Sequence, residues 1–184
     1  MMEKILIIED EEHLRDNLEL LLTDEGYHVV TAENGTEGIQ CLVQAPFDLV
    51  ITDIIMGDVG GFAVMEYVAT HTLDTLVIFI TGYASTDSVI AALRQGVYDY
   101  IAKPFDIDML LIAIKRALEK ARLQREIKTY MQELEQRVAD QTKELEEMKS
   151  RLNRPIEELR ATQERLIQSE KLSTLGDLIP DPAP

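Results

Sequence analysis

The feature that most limits the fold is a rhythm. Short apolar runs alternate five times with segments whose apolar residues recur every three to four positions. Lys4-Ile5-Leu6-Ile7-Ile8 is a continuous apolar run with no alternation. That is the pattern of a parallel strand covered on both faces. Residues 12–24 then set Leu14, Leu18, Leu21 and Leu22 at helical spacing, with Gly26 as a stop. The next strand is expected over residues 27–31, followed by a helix capped by Asn34 and running to about Gln44, with Ile39, Leu42 and Val43 turned inward. Pro46 ends it. Leu49-Val50-Ile51 leads to Asp53, and a helix follows Gly60-Gly61 to about Thr70. Residues 76–80 make a fourth strand, and Ser85 or Thr86 caps a helix to about Gln95, ended by Gly96. Residues 97–102 make a fifth strand, and Asp106 opens the last helix. Five strand–helix units imply an α/β fold: a doubly wound, five-stranded parallel sheet with helices on both faces.

Such sheets bind ligands beyond the carboxyl ends of their strands. The polar residues fall there. Strand one ends at Glu9-Asp10, strand three at Asp53, strand four at Thr81, and strand five leads to Lys103-Pro104. Carboxylates gathered at one point repel, so they call for a cation. Oxygen ligands alone favour a hard ion such as Mg²⁺. Lys103 supplies a compact positive charge, and Thr81 a hydroxyl able to hydrogen-bond a phosphoryl group. A carboxylate can attack phosphorus and form an acyl phosphate, with metal and lysine neutralising the transition state. Taken singly, each element has a plainer reading, as helix-start acids, a loop acid or a turn. Their conjunction does not.

This constellation resembles the receiver domain of two-component response regulators, over residues 3 to about 120. The resemblance implies the strand order 2-1-3-4-5 of flavodoxin-like folds. It also implies Glu9 and Asp10 as the acidic pair, Asp53 as phosphoacceptor, and Thr81 and Lys103 as its catalytic companions. Thr81 and Tyr100 would be the switch pair, and the metal ligands would be Glu9, Asp10, Asp53 and the backbone carbonyl of Ile55. Met56 and Gly61 match smaller features of the loop after Asp53. Two positions depart from the family pattern: Glu9 stands where Asp is usual, and Gly57 where Pro is common. The phosphodonor would be a histidine kinase or a phosphotransfer protein. Ile55 and Tyr83 are bulky and carry no group that orients water, which predicts slow self-dephosphorylation. A metal-dependent aspartyl phosphatase would need a second Asp two residues after the nucleophile, where this chain has Ile55.

Charge divides the chain. Residues 1–106 hold 19 acidic and 4 basic side chains; residues 107–184 hold 15 and 14. The acidic part would repel phosphates, and no basic recognition helix follows it, so no nucleic-acid partner is expected. A single cysteine, Cys41, rules out an internal disulfide and suits a reducing compartment. No apolar run approaches a membrane span, and the start of the chain lacks a signal-peptide layout, so a cytoplasmic location is expected. His13, His28 and His71 match no motif.

After Asp106 the next glycine is Gly176. One heptad row reads Met131, Val138, Leu145, Leu152, Leu159, Leu166; its companion reads Ile127, Leu134, Gln141, Met148, Pro155, Thr162. This is a coiled-coil seam with one strong and one weaker row, and it predicts a parallel homodimer. The expected organisation is a receiver domain over 1–120, a coiled-coil signalling helix over 121–175 with a kink near 153–155 at Pro155, and a disordered tail over 176–184. The stretch QERLIQSEKLSTLGDL resembles the lead-in to the dimerisation helix of sensor histidine kinases. The alternative is therefore the N-terminal regulatory fragment of a larger hybrid kinase.

Overall fold

A computed structural model describes residues 2–57, 59–71, 74–82 and 96–176, with side chains as far as residue 168. Its strands are β1 (Lys4–Ile8), β2 (His28–Ala32), β3 (Leu49–Asp53), β4 (Leu76–Thr81) and β5 (Asp99–Ala102). Its helices are α1 (Glu12–Asp24), α2 (Gly35–Gln44), α3 (Gly61–His71) and α4 (Ile107–Gly176). The expected helix over 86–95 lies outside the described residues, as does the tail from residue 177.

All strand pairs are parallel, in the order β2-β1-β3-β4-β5. The continuous apolar runs are explained by two separate cores, because successive strand residues point to opposite faces. Leu6, Ile8, Val50, Val77 and Phe79 pack with Leu42 of α2 and Val64, Met65 and Val68 of α3. Ile5, Ile7, Leu49, Ile51, Ile78 and Ile80 pack with Leu18 and Leu22 of α1 and Leu110, Ile114 and Leu118 of α4. Phe79 is fully buried and meets Phe62 edge-on at 5.3 Å between ring centroids.

The Asn34 cap is as expected. Its side chain accepts the Glu37 N–H at 2.9 Å, while the Glu37 carboxylate accepts the Glu33 N–H at 2.9 Å. Val43 departs from expectation, being 68% exposed. Leu42, one residue earlier, already fills the inward direction, so the 100° step to Val43 carries it off the buried face.

The chain divides into two compact units, residues 1–128 and 129–184. In the first, ion pairs tie α4 to the amino edge of the sheet. Asp48, just before β3, accepts the Lys4 N–H at 2.6 Å and pairs with Arg125 at 2.6 Å. Asp74, just before β4, pairs with Lys128 at 2.6 Å. The first pair is better shielded by its Asp48 side, while both partners of the second are half exposed, so their worth differs. Arg125→Glu is expected to destabilise by about 1 kcal/mol, and Lys128→Ala by less than about 0.5 kcal/mol. Thermal unfolding checks the order; equal effects would contradict it. In the second unit Pro155 lies inside α4. A helical proline forfeits one backbone hydrogen bond and crowds the preceding turn, but it need not end a helix.

Candidate functional site

The register assembles the site. Ile8 lies opposite both Ala32 and Thr52, so the next residues, Glu9 and Asp53, leave adjacent strands side by side. Thr81 ends β4 opposite Ala102, and Lys103 is the next residue. The Lys103 N–H donates to the Thr81 carbonyl at 2.8 Å, carrying the pairing one step beyond β5 and aiming Lys103 back over the sheet edge. The Lys103–Pro104 peptide bond is cis.

Lys103 Nζ donates to both Glu9 carboxylate oxygens, at 2.9 and 2.8 Å, and to Asp53 Oδ2 at 2.8 Å. Asp53 Oδ1 accepts the Ile55 N–H at 3.1 Å. Glu9 is 2% exposed and Asp53 8%, whereas Asp10 is on the surface. Carboxylate oxygens of Glu9, Asp10 and Asp53 lie within 4.8 Å of one another. Three acids thus meet one lysine. Burial is the largest influence on Glu9 and raises its pKa; Lys103 pulls it back, and the Asp53 charge adds to the rise. Burial alone would lower Lys103, but its hydrogen bonds to Asp53 and Glu9 outweigh that and hold the ammonium above its ordinary value. A carboxyl whose pKa is raised by folding opposes folding once pH exceeds its unfolded value. That cost shrinks as pH falls, or when a cation enters the cluster. An all-oxygen donor set with excess negative charge suits a hard divalent ion.

Gly61 opens α3 directly beneath the acid. Its N–H donates to the Ile54 carbonyl at 3.0 Å, and a Cβ there would run into the Asp53 carbonyl oxygen. The site therefore needs glycine at 61 for close approach, independent of backbone angle. Met56, from the same loop, is buried in the core. Ile55 is 62% exposed at the mouth of the site.

Glu9, Asp10, Asp53 and Lys103 thus converge. Thr81 is buried at the end of the adjoining strand, and Tyr100, paired in register with Phe79, packs half-buried against the core on the α2–α3 side. Tyr83 lies outside the described residues. One participant was missed: Arg15 Nη1 donates to the Glu9 carbonyl at 2.8 Å and braces that turn. A signal for it existed. Residues 1–106 hold only Lys4, Arg15, Arg94 and Lys103 as cations, and a scarce cation in an acidic domain warrants attention.

A family model, the response regulator receiver domain, matches residues 5–115. The chain belongs to the response regulator receiver domain family. A receiver domain protein from Methanospirillum hungatei JF-1 is 30% identical, with a TM-score of 0.65 over 67% of this chain and 99% of that one. The response regulator TrrA from Thermotoga maritima, solved in complex with Mg²⁺-BeF, is 32% identical, with a TM-score of 0.58 over 63% of this chain and 99% of that one. Among curated proteins, an NtrX-like response regulator of Rickettsia bellii (strain RML369-C) is 36% identical over 66% of this chain and 26% of its own length. The regulatory protein AtoC of Escherichia coli (strain K12) is 33% identical over 71% of this chain and 28% of its own. The chain spans about a quarter of the length of these curated relatives. Among the described residues, no helix is long and apolar enough to cross a membrane.

Proposed function

We propose that this receiver accepts a phosphoryl group on Asp53 from a phosphohistidine of a partner kinase or phosphotransfer protein, and that the helix beyond residue 120 carries the change to a dimeric output. The observation that supports it most is Lys103 Nζ bridging Asp53 and Glu9 within a cluster of three carboxylates. An Asp53 carboxylate oxygen attacks phosphorus; a P–O bond forms, the P–N bond breaks, and the imidazole nitrogen leaves with the bonding electrons. Lys103 holds positive charge where the transferring oxygens gather. The Ile55 N–H on Oδ1 and the close seat of Gly61 fix the orientation of the attacking group. Glu9, Asp10, Asp53 and the Ile55 carbonyl would hold Mg²⁺, which, when bound, neutralises charge on the phosphoryl oxygens.

In the phosphorylated state Thr81 turns to the new phosphoryl oxygens and Tyr100 moves further inward, altering the surface around β5 and α4. Exposed Ile55 offers no group that orients a hydrolytic water, which supports a long-lived acyl phosphate. The relatives named are regulators, which supports an output of that kind. The hybrid-kinase alternative rests on the 163–178 stretch alone. A cytoplasmic location follows from the phosphodonor.

Metal dependence tests the reading. A ligand at a hundredfold excess over its dissociation constant adds about 2.7 kcal/mol to folding stability. Mg²⁺ is expected to raise the unfolding temperature of the wild type, and Glu9→Gln with Asp10→Asn is expected to abolish that rise along with acceptance of label from a phosphohistidine donor. An unchanged response in the double variant would reject this assignment of the ligands.

A further inference from the structure

We propose that residues 131–166 form a parallel, in-register two-stranded coiled coil with a second copy of this chain, with the side-chain amides of the two Gln141 residues meeting across the seam. The proposal rests on the dimeric output above and supplies its surface and orientation.

Residues 131–166 are helical, and every one is exposed in the single chain. Met131, Val138, Leu145, Leu152, Leu159 and Leu166 recur strictly every seven residues, and Leu134 and Met148 occupy the companion row. Eight of the eleven positions of the two rows from 131 to 166 are therefore large and apolar. A strict seven-residue repeat keeps such a stripe on one partner only if two helices supercoil with a left-handed twist.

The flanking residues fit a second copy. In a parallel pair, each residue just before the first row faces the partner's residue five positions later. Glu144 then meets Lys149 of the second copy, twice by symmetry. The other pairings are Arg137 with Thr142, Arg151 with Ile156 and Glu158 with Gln163, so no like charges meet.

Charge alone does not choose the orientation, because an antiparallel pair would bring Glu144 to Arg151. The polar positions of the companion row choose it. An antiparallel overlap of the same span sets Gln141 against Leu159 and Thr162 against Val138, burying polar groups against hydrocarbon. In the parallel register each meets its own copy, and the Gln141 amide, both donor and acceptor, can satisfy its counterpart. A buried polar pair of this kind also penalises shifted registers.

The test uses the full chain carrying Cys41→Ser, with either Gln141→Cys in the seam or Lys143→Cys on the outer face, under mild oxidation, read by non-reducing electrophoresis and light scattering. The expected result is a dimeric mass for both, with a disulfide-linked dimer for Gln141→Cys and at least tenfold less for Lys143→Cys. In the antiparallel overlap the two 141 positions would stand about 27 Å apart along the axis and would not link. A monomeric mass, or no preference for position 141, overturns the proposal. Leu145→Glu with Leu152→Glu separates this surface from the receiver chemistry: it is expected to give monomers that still accept phosphoryl groups. Loss of acceptance in the Gln141→Cys dimer would count against the receiver reading and leave the coiled coil standing.

Discussion

Lys103→Ala is expected to slow phosphoryl acceptance by about 10²–10³-fold, the usual consequence of removing one preorganised charge-stabilising donor from a shielded site. The physical basis is its position, because Nζ touches Glu9 and Asp53 at once. Its loss leaves two buried carboxylates facing each other, with Asp10 close by. The fold should suffer as well, by about 2–4 kcal/mol in the absence of divalent cation, since breaking a buried pair strands the remaining charge. Mg²⁺ should restore much of that stability and little of the rate, because a metal among the acids relieves their repulsion but does not replace the ammonium. Rates from stopped-flow or quenched mixing, with thermal melts at matched Mg²⁺, separate the two effects. Equal rescue of both by Mg²⁺ would show that Lys103 serves only as a structural counter-charge.

Gly61→Val should be nearly as damaging, for a different reason. The first atom of any side chain at 61 meets the backbone oxygen of Asp53, and backbone cannot swing aside as a flexible side chain can. Overpacking of this kind costs about 1–3 kcal/mol and can cost more. The strain falls on Asp53, the proposed phosphoacceptor, and a displacement of about 1 Å there is expected to lower the rate by about 10²-fold. Gly26→Ala is the control. Gly26 has nothing near its Cβ position and has a positive φ, so the change should strain the turn after α1 without slowing phosphoryl transfer. Similar rate losses in both variants would show that the Gly61 effect reflects general destabilisation.

The sheet was legible because its strands are buried on both faces and therefore read as unbroken apolar runs. Leu49-Val50-Ile51 and Leu76 to Ile80 have no competing interpretation once helices are seen to separate them. The site was legible for a related reason: parallel strands all end at one edge, so chain order alone brought Glu9, Asp53 and Lys103 together. Contacts across long sequence separations were not legible. The pairing of Asp48 with Arg125 depends on how α4 lies along the sheet, and nothing local to either residue announces it. The brace from Arg15 to the Glu9 carbonyl is hidden because a backbone acceptor has no sequence identity. Val43 was misread because three apolar residues in one short helix compete for two inward directions. Strand ends shifted by a residue or two at β2 and β5, where Tyr27 and Val97 lead into the sheet without joining the ladder.

Incubation with Mg²⁺ and acetyl phosphate, followed at once by intact-mass measurement and peptide mapping, is the most direct trial of the whole account. The chain should gain the mass of one phosphoryl group, located on the peptide containing Asp53 and lost on hydroxylamine treatment, and Asp53→Asn should gain none. A phosphoryl group found on any other residue, or an Asp53→Asn chain that gains the same mass, would contradict it.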